Sequence, residues 1–331
     1  MSRTLLVTGG CGFIGSNFVR AVLGQRRDWS VVNLDALTYA GNLESLRDVE
    51  GDPRYRFIHG DVRNRSVVDA AIRGCDTVVH FAAESHVDRS LQDSTPFIST
   101  NVEGTQVMLD AAVAAGVDRF VQIGTDEVYG ELPLDRPELR FTESTPLAPR
   151  SPYAASKAAA DLLALAAHRT FDLPVIVTRC SNNFGPYQFP EKVIPLFVTN
   201  LFEGKTVPLY GDGRNVRDWL HVEDHCAAVL AALERGTPGE VYNIGGDNER
   251  SNLELTHLLL ELCGCDERRI EPVTDRLGHD RRYAIDASKA HVALAWSPAH
   301  ADFRAALAET VDWYRANEAW WKPLAEARER T

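Results

Sequence analysis

Positive charge is scarce in this chain of 331 residues: 35 Lys and Arg stand against 47 Asp and Glu, a formal net charge of −12. That balance argues against a general binder of nucleic acid or membrane surfaces, since both partners are anionic. It leaves room for a local basic pocket that takes a phosphorylated small molecule. Long apolar runs are missing too, and none approaches the roughly 20 residues of a membrane helix. No secretory n-region or h-region is present. The six cysteines are Cys11, Cys75, Cys180, Cys226, Cys263 and Cys265, and only the last two are close, as C-G-C. That spacing is neither a zinc ribbon nor a redox pair. These absences lead us to expect a protein of the reducing cytoplasm, with no membrane and no nucleic-acid partner. Internal repeats, low-complexity segments and long charge runs are absent as well. The 44% hydrophobic and 25% charged composition is that of an ordinary globular core and surface.

What is present alternates. Short β-branched runs at 3–8, 31–35, 55–60, 76–82, 118–124 and 174–179 read as strands, and helical patterns lie at 15–25, 65–73, 95–115 and 151–171. Strand–helix alternation with continuously apolar strands predicts an α/β fold, a doubly wound parallel sheet buried on both faces. After about residue 185 the rhythm changes. Helices at 191–203, 222–235, 252–263 and 303–317 are separated by shorter strands and by turn clusters such as YGDGRN. We therefore expect a dinucleotide-binding domain over 1–185 and a smaller mixed α/β substrate-binding region over 186–331. The boundary is discontinuous, with strands near 216–221 and 240–244 returning to the first region.

The segment TGGCGFIGS follows the first strand and opens the first helix. Gly9, Gly12 and Gly15 make a close relative of the Rossmann dinucleotide fingerprint. Missing β-carbons allow a tight turn and close approach of a pyrophosphate, and the helix N-terminus supplies free N–H groups. Asp35 ends the second strand 20 residues after Gly15, where an acid grips both ribose hydroxyls and repels a 2′-phosphate. The expected cofactor is NAD. Asp61, after the third strand, has two readings: a partner for the adenine, or a cap for the following helix.

Two further stretches carry chemistry. VQIGTDEVYG, residues 121–130, ends a buried strand with Thr125, Asp126 and Glu127. Adjacent acids are costly at the end of an apolar strand unless they are used or solvated. SPYAASKAAADLL opens a helix with Ser151 as cap and Pro152 in the first turn. Tyr153 and Lys157 then share a helix face, roughly 6 Å apart along the axis. An ammonium about 4 Å from the phenol oxygen, at an effective dielectric near 20, is worth about 4 kcal/mol. That would draw a tyrosine pKa from about 10 towards about 7. One tempting constellation reads differently: His221 and His225 bracket Glu223 and Asp224, and VEDH has the form of a helix start with acids at its positive end. We expect no metal.

Glycine turn, Thr125 and Y-x-x-x-K together resemble the extended short-chain dehydrogenase/reductase family. The match narrows with HFAAESHVDRS (80–90), TDEVYG (125–130), RCSNNFGPYQFPEKVIP (179–195), YGDGRNVRDWLHVEDH (210–225), YNIGG (242–246) and DRLGHDRRYAID (275–286). These blocks resemble the dTDP-glucose 4,6-dehydratases, from about residue 3 to the tryptophans near 320. Departures are small: Phe184 where Tyr is usual, Ala295 where Gly is common, and Cys11 where Ala is frequent.

The resemblance implies a nucleotide-sugar lyase that works through NAD. Its catalytic set is Thr125, Asp126, Glu127, Tyr153 and Lys157. Around the cofactor it implies Gly9, Gly12, Phe13, Ile14 and Gly15 at the turn, with Asp35 and Thr38 at the ribose. Asp61, Val62, Phe81, Ala82, Ala83 and Ser85 follow along the cleft, then Thr100, Tyr153, Lys157 and Asn183. For the substrate it implies Ser85, Thr125, Asn182, Lys192, Pro208, Tyr210, Arg217, Asn252 and Arg281. Arginine suits a pyrophosphate because its planar fork donates two parallel hydrogen bonds. The family mechanism oxidises C4, eliminates water across C5 and C6, and reduces C6, so two acids side by side serve neighbouring carbons. The rivals are a 4-epimerase or decarboxylase on this fold, or a non-catalytic nucleotide-sugar binder. The resemblance also implies a homodimer, supported by small and apolar positions at Ala112, Ala159, Leu162 and Ala166.

Overall fold

A computed structural model of the chain describes residues 2–275 and 278–329; Arg276 and Leu277, from the last of the quoted blocks, lie outside the described residues. Six strands build the first part: β1 (Arg3–Thr8), β2 (Trp29–Asp35), β3 (Tyr55–His59), β4 (Thr77–His80), β5 (Arg119–Thr125) and β6 (Val175–Cys180). Six more follow: β7 (Asn182–Phe184), β8 (Val207–Tyr210), β9 (Val216–His221), β10 (Val241–Ile244), β11 (Glu249–Ser251) and β12 (Ile270–Val273). Seven of them form one parallel sheet in the order β10-β6-β5-β4-β1-β2-β3. The order reverses between β1 and β4, and the crevice outside the strand C-termini at such a switch point is where doubly wound sheets bind ligands.

Both faces of the sheet are covered. Phe13–Gln25 and Val222–Arg235 bury Phe18, Val19, Val22, Val229 and Leu233 on one side. Thr105–Ala115 and Pro152–Phe171 bury Met108, Leu109, Ala112, Ala164 and Ala167 on the other. Ala112 is thus part of the internal core. A third cluster, with Phe184, Phe197, Trp219, Phe303, Tyr314 and Trp321, builds the smaller region. There the Asn252–Cys263 helix begins with a reciprocal cap: Ser251 accepts the Glu254 N–H and Glu254 reaches back to Ser251.

Two elements differ from the sequence expectation. Val241–Ile244 does enter the large sheet beside β6, but Val216–His221 pairs with β7 and β11 in a separate three-stranded sheet. The expected helix over 95–115 is interrupted. Thr95–Phe97 leads into a π-helical stretch, Ile98–Gly104, before a regular helix resumes at Thr105. Such wide turns cluster at functional sites, and this one places Thr100 in the wall of the central cleft.

Candidate active site

A cleft of about 380 Å³ opens above the switch point. Its floor is the turn after β1. Gly9 has φ +69°, and a β-carbon there would stand 2.7 Å from the Ala82 nitrogen. A β-carbon on Gly15 would run into the Gly9 carbonyl oxygen. The turn is therefore closed to side chains and presents bare backbone to the cleft, the cradle a pyrophosphate needs. Asp35 receives the N–H of Cys11 at 2.8 Å on one carboxylate oxygen and that of Leu37 at 2.8 Å on the other. Burial raises its pKa, opposed by those two backbone donors. A carboxylate fixed in this way retains lone pairs for two ribose hydroxyls. These residues fit NAD.

Phe13, Ile14, Thr38, Val62, Phe81, Ala82, Ala83, Ser85, Thr100 and Asn183 also line the cleft, as do Gly12 and Asp61. Asp61 is gripped by Arg63, whose guanidinium holds its carboxyl below the usual range. The cap of the next helix is Asn64, not Asp61.

On the opposite wall, β5 ends at Thr125 and is followed by Asp126 and Glu127, three of the residues expected to be catalytic. The Thr125 hydroxyl accepts the Glu127 N–H at 3.4 Å and so starts a single short helical turn, Asp126–Tyr129. That turn presents both acids to the cleft. The Pro152–Phe171 helix is capped by Ser151, which accepts the Ala154 N–H at 3.1 Å. It brings Tyr153 to the Thr125 hydroxyl, to which it is hydrogen-bonded. Lys157 donates to the Ile123 carbonyl at 2.6 Å. Asn101, which sequence reasoning missed, ties this arrangement together: it receives the Glu84 N–H, donates to the Glu84 carbonyl, and donates to Ser156 Oγ at 2.8 Å.

The two acids sit in different surroundings. Asp126 is 1% exposed, and one of its oxygens is buried with no hydrogen-bond partner. Burial, then the charges of Glu127 and Asp218, push its pKa well up; Arg217 opposes them. The surroundings of Asp126 thus favour its protonated form. Glu127 is only half-buried. Tyr153 departs from the expectation of an acidic phenol. Burial and the Glu127 charge hold its pKa well above the ordinary value, and the Thr125 hydrogen bond offsets only part of this. Among the protein's own groups desolvation dominates, and it favours the protonated phenol.

The residues expected at the substrate divide into two groups. Ser85, Asn182 and Lys192 line the cleft, and Lys192 spans it by donating to the Ser85 carbonyl at 3.0 Å. Pro208, Tyr210, Arg217, Asn252 and Arg281 lie outside its lining. Arg281, Asn252 and Arg217 gather around Asn215 and the Asp280 carbonyl, with the Tyr210 ring 6.5 Å from that of His279. Arg217 links the two groups, because it stacks on Tyr283 and its charge acts on Asp126. Arg281 is engaged by Asp212 through two nitrogens.

His221 and His225 are engaged by different partners. His221 is the cap of the Val222–Arg235 helix, while His225 is buried against Asn183 at 3.0 Å. The histidine that joins His221 and Glu223 is His300, whose ring lies 4.0 Å from that of His221.

The comparisons agree with this geometry. A family model described as GDP-mannose 4,6 dehydratase matches residues 6–310. A dTDP-glucose 4,6-dehydratase from Actinoplanes sp. is 53% identical over 322 residues, covering 96% of this chain and 99% of the relative. One from Streptomyces griseus is 54% identical over 329 residues, covering 99% and 98%. The crystal structure of DesIV (dTDP-glucose 4,6-dehydratase) from Streptomyces venezuelae, with NAD and TYD bound, superposes with a TM-score of 0.94 at 53% identity, covering 97% of this chain and 99% of that one. With its glycine turn, its Thr-Asp-Glu strand end and its Tyr-x-x-x-Lys helix in one cleft, and with relatives more than half identical along nearly its whole length, this chain belongs to the dTDP-glucose 4,6-dehydratases of the extended short-chain dehydrogenase/reductase family.

Proposed function

We propose that this chain dehydrates dTDP-glucose to dTDP-4-keto-6-deoxyglucose and retains NAD throughout. The observation that carries the reading is the pair Asp126 and Glu127 at the end of β5, facing the same cleft as Tyr153 and Lys157. The names of the relatives support the same substrate, and the NAD in the solved relative supports the cofactor. Gly9, Gly12, Gly15 and Asp35 would hold it. Bound NAD supplies a hydride acceptor for C4 of the sugar and a hydride donor for C6.

The residues divide the proton work. Tyr153, whose own proton the positive nicotinamide ring of bound NAD would draw off, then takes the proton from the O4 hydroxyl, with Thr125 and Lys157 beside it. Once C4 is a ketone the C5 proton is acidic, and Glu127 removes it. Asp126, kept neutral by burial, protonates the departing C6 hydroxyl. Arg217, Arg281 and Lys192 supply positive charge for the diphosphate, while Ser85, Asn182, Asn252 and the Pro208–Tyr210 segment hold the sugar and base. Mass spectrometry of the product from dTDP-glucose tests the reading. Loss of one water is expected; unchanged mass would mean epimerisation.

A thymine base should be preferred over uracil, because a filled methyl pocket is worth roughly 10- to 200-fold. Equal kcat/KM for dTDP-glucose and UDP-glucose would contradict this. We take residues 1–185 with the returning strand β10 as the NAD-binding domain and 186–331 as the substrate-binding domain.

The protein acts as a homodimer in the cytoplasm on this reading. Ala155, Ala159, Leu162 and Ala166 form one helical stripe on Pro152–Phe171, and Leu162 is 57% exposed. Ile98, 47% exposed, adds an apolar side chain from the π-helical stretch. Small residues of this kind let helices of two copies approach closely. A monomer in sedimentation at micromolar concentration would contradict the dimer. Among the described residues no helix is long and apolar enough to cross a membrane.

A further inference from the structure

Further along the face that carries Tyr153 and Lys157, the same helix buries a charge that the proposed chemistry leaves unused. Asp161 lies one turn after Lys157 and is fully buried. Its Oδ2 accepts from Arg179 Nε at 2.9 Å, while its Oδ1 has no hydrogen-bond partner. Arg179, on the neighbouring strand β6, is 3% exposed. It also donates to the Tyr129 hydroxyl at 3.0 Å, which in turn donates to Asn243 Oδ1 at 2.7 Å. Gly124 makes the space, since a β-carbon there would stand 3.0 Å from Asp161 Oδ1 and 2.7 Å from the Thr178 carbonyl oxygen. A buried ion pair is a poor way to gain stability, because desolvating two charges costs several kcal/mol each and apolar replacements are often neutral or better.

The placement suggests another use. Lys157 is itself buried and anchored to the Ile123 carbonyl. A side chain four residues further along a helix is its direct neighbour. We propose that Asp161, clamped by Arg179, is a positioning residue that keeps Lys157 charged and aimed across the end of β5. The proposal rests on the dehydratase reading only for what Lys157 then does at Tyr153.

The electrostatics of the site support it. Burial lowers the Lys157 pKa, and the Asp161 charge is the largest influence opposing that fall. Burial raises the Asp161 pKa, and Arg179 and Lys157 oppose it in turn. The other groups facing this cluster are His80 from β4, Asp126 and Glu127 from the end of β5, Tyr129 from the short turn and Cys180 from β6. His80, Tyr129 and Cys180 are held in their neutral forms by burial, so they supply no counter-charge.

The chain has five lysines, so carbon-13 labelling of lysine gives a spectrum in which Lys157 can be followed alone. Its titration midpoint should fall by about one pH unit or more in Asp161→Asn, since a tenfold change in the protonation equilibrium is one unit. Lys192, Lys205, Lys289 and Lys322 should be unmoved. Asp161→Asn leaves Arg179 and Lys157 as two uncompensated buried cations and risks misfolding. The double variant Asp161→Asn, Arg179→Gln removes that hazard. Its fold and NAD content should return to those of the parent, with the Lys157 midpoint between the parent and the single variant. Turnover at neutral pH should fall roughly tenfold in the double variant, with KM unchanged. A Lys157 midpoint equal to the parent's in the folded double variant would overturn the proposal and leave Asp161 a structural ion-pair partner. Failure of the parent chain to dehydrate dTDP-glucose would instead overturn the functional reading, and the lysine titration would still decide this one.

Discussion

Thr125 and Asp126 meet side chain to side chain, with the threonine hydroxyl 3.5 Å from the carboxyl oxygen, at the point where β5 turns into a single helical turn. The same hydroxyl is hydrogen-bonded to Tyr153. One strand end therefore joins the residues we assign to oxidation, Thr125 and Tyr153, to those we assign to dehydration, Asp126 and Glu127. We expect Asp126→Asn and Glu127→Gln to bind NAD and substrate normally and to dehydrate about 10² to 10⁴ times more slowly, the usual worth of a positioned acid or base. Tyr153→Phe should stop earlier, with no absorbance of reduced nicotinamide on rapid mixing with substrate. Near-normal turnover in either acid variant would remove the division of proton work.

Gly15→Ala tests the cradle. The added methyl would collide with the Gly9 carbonyl oxygen inside a turn whose two ends are fixed by β1 and the following helix. The purified variant should carry little NAD, while a change on the open side of the same helix, at Gly24, meets nothing within 4 Å and should retain it. Cofactor released by heat and measured against protein gives the answer.

Acid should unfold the protein through its buried histidines. His80 is wedged between the hydroxyls of Thr8 at 2.7 Å and Thr105 at 3.2 Å, and burial lowers its pKa to about 3. His225 is lowered to about 3 in the same way. Between that value and the ordinary pKa of 6.5 the unfolded chain binds protons the folded chain refuses. The stability these groups confer is therefore complete above pH 6.5 and is lost as pH falls below it, by up to about 1.4 kcal/mol per pH unit for each histidine. His80→Asn should be less stable at neutral pH yet show a shallower loss between pH 6.5 and 4. Urea titrations across that range at fixed NAD concentration would reveal it.

Ala295 has a backbone φ of +44° at an exposed loop position. A left-handed conformation costs a residue with a β-carbon about 1–2 kcal/mol. Glycine would relieve that strain, less the roughly 0.5–1 kcal/mol it gives up by loosening the unfolded chain. Ala295→Gly should raise the melting temperature modestly, and a lower one would show that the strain is relieved by neighbouring contacts.

The large sheet was legible in the sequence because most of its strands are short runs rich in apolar and β-branched residues, as in TLLVT and VQIGT. The glycine turn, Asp35 and the Tyr153–Lys157 face were legible for the same reason: fixed spacing on a regular element. Strands β7, β8, β11 and β12 span only three or four residues each, and tertiary pairing, not local pattern, makes them strands. The π-helical stretch at Ile98–Gly104 leaves no mark in a helical pattern, and it hid the role of Asn101. Asp161 bears no local mark on its alanine-rich helix, because its partner Arg179 comes from a strand 18 residues further on. The acidity of Tyr153 was misjudged because sequence gives the distance to a charge but not the depth of burial.

The central claim is that one cofactor, never released, carries hydrogen from C4 to C6 of the same sugar while the two acids remove water between them. Incubation of the enzyme with dTDP-glucose deuterated at C4, followed by mass spectrometry and proton NMR of the product, tests it directly. The account predicts a product lighter by one water with the deuterium on C6. A product of unchanged mass, or one in which the deuterium has been lost to solvent, would contradict it.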